Sequence, residues 1–377
     1  MSTIGLFFGG RSVEHDVSVV SAQIIAKGFS ALSGRYRLVP IYITSTGNWV
    51  AFSSGNFPSI AEIKKYRFSS GNVSLKLSPE TNQLILKRSF GRRLIIDIAF
   101  PLIHGTYGED GTLQGLLEIA GVPYAGPGVL GSAVGMDKIL FKDVMTANNL
   151  PIVSHLWFHR DEWRDNQEGI ITRIEFTLSY PIFVKPSNLG SSIGIARATD
   201  RISLTDAVEV AIRYSPRVIA EQGIESNRLM EINCAVIGYK DPTPSVLEQP
   251  LHYSEFLTFE DKYIGGGKGG SMKGLKNKVK IPAPISDAVK EEIQSLTVKT
   301  FKLLDCAGIA RVDFLVEDKT KVYINEINTI PGSLQQHLWR VSGISLPELL
   351  ERVITSAVEV AADRRQNLTS FESSLLK

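Results

Sequence analysis

The chain has 377 residues, 43% hydrophobic and 21% charged, with a formal net charge of +2 at pH 7. That length suits two or three soluble domains. So even a charge balance gives no electrostatic case for a nucleic-acid or membrane partner. No apolar run approaches the ~20 residues that span a bilayer, and the N-terminus lacks the basic segment of a secretory signal. The two cysteines, Cys234 and Cys306, lie far apart without metal-ligand spacing, so a disulfide framework is not indicated and a reducing cytoplasm fits.

In chain order, Ile4 to Phe8 reads as a short buried strand ending in Gly9-Gly10. Val17, Val20, Ile24 and Ile25 then recur at helical spacing, and Val39 to Ile43 reads as a second strand. Residues 73–77 and 83–87 form an expected hairpin about Pro79-Glu-Thr-Asn82. Ile95 to Ile103 reads as one continuous strand covered on both faces. Strands alternating with helices predict an open α/β sheet, whose carboxyl edge is the usual ligand side. A helix over Lys138 to Asn148 leads into strand-like runs at 154–158, 181–185, 192–196 and 218–222. A further strand, Met230 to Ile237, a glycine-rich stretch, Gly265 to Gly274, and a helix, Ser286 to Leu304, follow. The last helix begins near Leu346, and the tail after about Ala361 is polar.

Four stretches carry chemistry. Gly9-Gly-Arg-Ser-Val-Glu14-His lets backbone amides approach a ligand, although Glu14 also suits a helix N-terminus for its dipole alone. His104-Gly-Thr-Tyr-Gly-Glu-Asp-Gly follows a buried run and reads as a functional loop or a plain glycine-rich connection. Lys185-Pro-Ser-Asn-Leu-Gly-Ser191-Ser192-Ile-Gly, a lysine at a strand's end before a Gly/Ser turn, suits phosphate binding without the Walker A pattern. Glu221 closes the strand after it. The fourth is Arg311-Val-Asp313 with Asn325-Glu326-Ile-Asn328. The two-residue spacing puts Arg311 with Asp313, and Glu326 with Asn328, on single strand faces. A hairpin of the two runs would converge two carboxylates and a carboxamide, as hard dications prefer. An ordinary half-buried hairpin shows the same alternation, so the pattern alone leaves both readings open.

In order along the chain, GGRSVEHDVS, HGTYGEDGTLQG, MDK, KPSNLGSSIG, AEQGI, KY (262–263), ARVDF and NEINTIPG together resemble the D-alanine–D-alanine ligases of the ATP-grasp superfamily, over residues 4 to 350. The resemblance implies an α/β (α+β) three-domain ATP-grasp fold. Its parts are an N-terminal substrate-binding domain (1–136), a central ATP-grasp domain (137–227) and a C-terminal catalytic domain (228–377). It implies ATP, with Mg²⁺ ions held by Asp313, Glu326 and Asn328 and Mn²⁺ as a substitute. Lys138 and Lys185 would contact phosphates, with Lys262 on the γ-phosphate. Glu221 and Glu231 would hold adenine and ribose, and Ser191, Ser192 and Asn325 complete the nucleotide set. Glu14 would pair with the ammonium of the first D-alanine, joined by Ser191 and Tyr263 in closing the 252–274 loop. His104 would lie by the donor carboxylate, and Arg311 with the Gly332 amide would meet the oxyanion. The activity implied is ligation of two D-alanines through D-alanyl phosphate for peptidoglycan, by a cytoplasmic homodimer. One segment departs from the pattern. After Pro331-Gly332 the chain runs directly into Ser333-Leu-Gln-Gln-His337, a loop about four residues short on the acceptor side. Ser333 would take over the acceptor contact or His337 supply a different one, and D-serine, D-lactate or another amino acid enters as an alternative acceptor.

Overall fold

A computed structural model of the chain describes residues 1–53, 55–88, 93–251 and 279–368. Three main sheets organise it, with a small three-stranded sheet beside the first.

The N-terminal sheet places Ser2–Gly9 between Tyr36–Ile43 and Ile98–Pro101, parallel to both. Trp49–Ala51 adds antiparallel at one edge. Its centre is apolar on both faces, as parallel strands under crossover helices require. The helix His15–Ser30 makes the first crossover and buries Val19, Ala22, Ile25, Ala26 and Phe29. Val20, expected on the packed face, is exposed, because the apolar stripe runs one residue earlier along the helix. The expected single strand Ile95 to Ile103 is two. Leu94–Ile96 pairs antiparallel in the small sheet and Ile98–Pro101 parallel in the large one. Asp97 makes the break, its carboxylate accepting Thr3 N–H at 2.8 Å and Gln83 Nε2–H at 2.6 Å.

The central sheet is antiparallel, in the order Ala196–Ala198, Ile182–Pro186, Arg217–Gln222, His155–His159. Helices Gln167–Thr177 and Arg201–Ala211 bury Ile170, Ile174, Leu204 and Val208 against Val184, Val218 and Ala220. The strand expected at 192–196 begins only at Ala196; residues 191–194 form a turn, with Ser191 and Ser192 both left-handed at φ +55° and +60°.

The C-terminal sheet is antiparallel, in the order Val279–Lys280, Thr243–Pro250, Leu229–Gly238, Gly308–Glu317, Lys321–Asn328. One face is apolar: Ile232, Cys234, Val312, Phe314 and Ile324 pack under Ile293, Leu296 and Phe301 of the helix Asp287–Leu303. The helix Lys138–Ala147 adds Phe141 and Met145 to this core. The opposite face carries Arg311, Asp313 and Glu326, all half-buried. Both cysteines are buried and free. A separate core joins the two ends of the chain: Leu6, Phe100, Trp339, Leu349 and Val353 share it with Ile237 and Ile309. Among the described residues no helix is long and apolar enough to cross a membrane.

Candidate active site

Strand register brings the fourth motif together. Asp313 stands opposite Glu326, and Arg311 opposite Asn328. A bulge admits Asn325 as the additional residue between the Asp313–Glu326 and Phe314–Ile324 pairs. Arg311 grips Asp313 in a fork, Nε to Oδ1 and Nη2 to Oδ2 both at 2.6 Å, and Asn328 Nδ2 donates to Oδ2 at 3.0 Å. Burial alone would lower the arginine's proton affinity, but Asp313, Glu248 and Glu326 outweigh it and hold the guanidinium charged.

The neighbouring strand extends this line. Asn233 lies beside Asp313 on one side and Glu248 on the other. Thus Glu326, Asp313, Asn233 and Glu248 form one polar row across four strands. It ends on His337, whose Nε2 is 2.6 Å from Glu248 Oε2.

Lysines gather at the other end. The carboxylate of Asp137 caps its helix, accepting from Ile139 N–H and Leu140 N–H at 3.1 Å. That cap aims Lys138, whose Nζ donates to Leu189 O at 2.8 Å and lies 3.6 Å from Glu326 Oε2. Lys185 Nζ donates to Glu221 Oε2 at 2.7 Å, and Lys142 Nζ stands 3.5 Å from Glu221 Oε1. Lys142 and Glu221 are buried and Lys185 is half-buried. Burial would raise the Glu221 carboxyl, but Lys142 and Lys185 win and push it down to about 2. Glu231 also acts on Lys185, helping to raise its proton affinity against burial.

Glu14 is where three loops meet. Ser191 Oγ donates to its Oε1. A Cβ at Gly105, in the left-handed region at φ +76°, would fall 2.6 Å from Glu14 Oε2, and one at Gly190 would fall 3.1 Å from it. Only glycine lets both loops approach this carboxylate. Glu109 lies close by, accepting Gly105 N–H at 2.6 Å and Ile330 N–H at 3.1 Å. Burial and the charge of Glu14 push its carboxyl up to about 8 against those two donors. His104 is buried and its imidazole is held down to about 4, first by burial, with Arg311 adding and a backbone bond to Ile330 opposing. Its Nε2 pairs with Ser21 Oγ at 2.9 Å, and Ser21 Oγ accepts Ser333 N–H at 3.1 Å. A Cβ at Gly332 would meet nothing within 4 Å.

Lys138, between Glu326 and Leu189 O, thus links the carboxylate–arginine hairpin with the loop whose Ser191 and Gly190 meet Glu14. Family models described as D-ala D-ala ligase N-terminus and D-ala D-ala ligase C-terminus match residues 3–127 and 144–355. The chain belongs to the D-alanine–D-alanine ligase family. The ligase of Natranaerobius thermophilus is 38% identical over 98% of this chain and 99% of its own length. That of Acetivibrio thermocellus is 41% identical over 94% and 95%. Among solved structures, the D-alanine-D-alanine ligase from Coxiella burnetii matches at TM-score 0.79 and 30% identity, covering 97% of this chain and 96% of that one. A D-Ala:D-Ser ligase from Enterococcus faecalis matches at 0.78 and 28%, covering 94% and 99%.

Within this ligase fold contacts join Glu14 to Ser191, His104 through Ser21 to Ser333, and Arg311 to Asp313 beside Asn328 and Glu326, while Lys138 reaches Glu326 and Lys185 pairs with Glu221. Lys262, Tyr263 and the glycine-rich stretch lie outside the described residues. Sequence reasoning missed Lys142, whose signal was its i+4 spacing from Lys138 on one helix face. It also missed Glu109, Asn233 and Glu248; the last two lie on strands whose pairing partners no local pattern names.

Proposed function

We infer that the chain is an ATP-dependent D-alanine–D-alanine ligase, forming D-alanyl-D-alanine, ADP and phosphate for peptidoglycan synthesis. The observation that carries this is the Arg311–Asp313 fork facing Glu326 and Asn328 on paired strands, beside the lysines Lys138, Lys142 and Lys185. A carboxylate is a poor acylating agent, so its oxygen first takes the γ-phosphoryl group, and the acceptor's amine then displaces phosphate. The oxygen-only set of Asp313, Glu326 and Asn328 fits Mg²⁺ or Mn²⁺, and such ions, when bound, neutralise phosphate charge. Lys138 and Lys185 hold phosphates, with Glu221, Glu231, Ser192 and Asn325 on the nucleoside side. The Lys185–Glu221 pair is the pre-formed partner that a nucleotide separates.

On the substrate side, Glu14 orients the donor's ammonium and Ser191 fixes Glu14. Neutral His104 lies beside the donor carboxylate. Arg311 and the Gly332 amide face the oxyanion, where one such donor lowers a barrier by ~3–4 kcal/mol. The three sheets support domains at 1–136, 137–227 and 228–377.

The test is product analysis with ATP, Mg²⁺ and a panel of acceptors. D-alanine alone should yield the dipeptide with one ADP for each bond. Turnover absent with D-alanine but present with another acceptor would overturn this reading in favour of a second. That second reading, transfer of D-alanine to D-serine or D-lactate, is favoured by the short 332–339 loop and by the likeness to a D-Ala:D-Ser ligase.

A further inference from the structure

The acceptor enters as an amino acid whose carboxylate must be neutralised in a region dense with acidic groups. Arg311 is already forked onto Asp313, and Lys138, Lys142 and Lys185 are committed to Glu326 and Glu221 at the far end of the row. At the near end stands His337. Its ring is 32% exposed, while its partner Glu248 is 5% exposed. Glu248 also accepts Asn233 Nδ2–H at 3.1 Å. A buried, doubly bonded carboxylate therefore fixes an accessible imidazole through Nε2 and leaves Nδ1 for a ligand. This is the way a buried acid orients a working histidine.

The loop that delivers His337 is costly to hold. Ser333, Leu334 and Gln335 are all left-handed, at φ +47°, +54° and +52°, a conformation that non-glycine residues adopt at a penalty. Gln335 Oε1 is buried there without a hydrogen-bond partner, a further cost. The turn starts at open Gly332, is tied to the donor side through Ser333 N–H and Ser21, and ends in the short helix Gln336–Val341 that carries His337.

We propose that His337, oriented by Glu248 and Asn233, is the specificity-determining residue that receives the carboxylate of the acceptor amino acid. The proposal rests on the ligase reading above. The ring bridges Glu248 and the ligand carboxylate through its two nitrogens. Glu248 is a positioning residue that never touches the substrate.

The experiment separates donor from acceptor. With hydroxylamine trapping D-alanyl phosphate as the hydroxamate, wild type and His337→Gln should give equal yields. With D-alanine as donor, wild type should prefer D-alanine to D-alaninamide as acceptor. His337→Gln should raise the acceptor KM at least tenfold and lose most of that preference, leaving the donor KM unchanged. Glu248→Gln should show the same split more weakly. Retention of the full acid-over-amide preference in His337→Gln would overturn the proposal, as would parallel loss of hydroxamate and dipeptide. Absence of hydroxamate from wild type would instead defeat the ligase reading itself.

Discussion

Two side chains carry most of the electrostatic argument at the scale of single residues. His104 titrates at about 4 in the folded chain against 6.5 for a free imidazole. Between those values the unfolded chain binds the additional proton, so stability falls as pH drops from 6.5 to 4 and the effect is complete below. The shift is worth ~3 kcal/mol. His104→Gln should flatten that part of a chemical-denaturation profile against pH; an unchanged slope would place the acid sensitivity elsewhere. Lys142 is the second. Its ammonium is fully buried against Glu221, and removing one partner of a buried ion pair costs ~3–5 kcal/mol. Lys142→Met should therefore destabilise strongly and weaken ATP binding. Adding Glu221→Gln should cost further stability, because it takes the partner from Lys185, but less than the two single losses together. Additive losses in the double variant would contradict the pairing.

At the scale of elements, the hairpin of Gly308–Glu317 and Lys321–Asn328 is the proposed working part. Its two-residue alternation was legible in the sequence, since Val312 and Phe314 had to face the core and Arg311 and Asp313 the opposite side. What was not legible was the partner on the other flank. The pairing of Leu229–Gly238 with Thr243–Pro250 carries a register shift between Cys234 and Val236, and it alone decides that Glu248 joins the row. The Asp97 break was hidden for a related reason. One polar residue in an apolar run reads as an interruption, yet here Thr3 and Gln83 satisfy it while the chain changes sheets. The hairpin's function predicts a kinetic signature. Arg311→Ala should lower kcat by about 10²–10³ with a much smaller change in ATP affinity, measured by equilibrium nucleotide binding. Equal losses in both would remove the oxyanion role.

Across the whole molecule, the two chain ends share a core in which Trp339 and Leu349 pack with Leu6 and Phe100. That core fixes the 332–339 loop against the N-terminal sheet, so Ser333 meets Ser21 and, through it, His104. The motif order pointed to residues for one proposed reaction; the distances joining them depend on this long-range packing. Glu14, Ser191 and Gly105 lie on three loops separated by many residues, and only the folded chain brings them within contact. The same packing makes the central chemical claim testable in one assay. D-alanine bearing ¹⁸O in both carboxylate oxygens is supplied with ATP and Mg²⁺, and the released phosphate is analysed by mass or by ³¹P shift. Ligation through an acyl phosphate predicts one ¹⁸O in each phosphate for every dipeptide formed. Dipeptide accompanied by unlabelled phosphate, or ATP cleavage without dipeptide, would contradict the account.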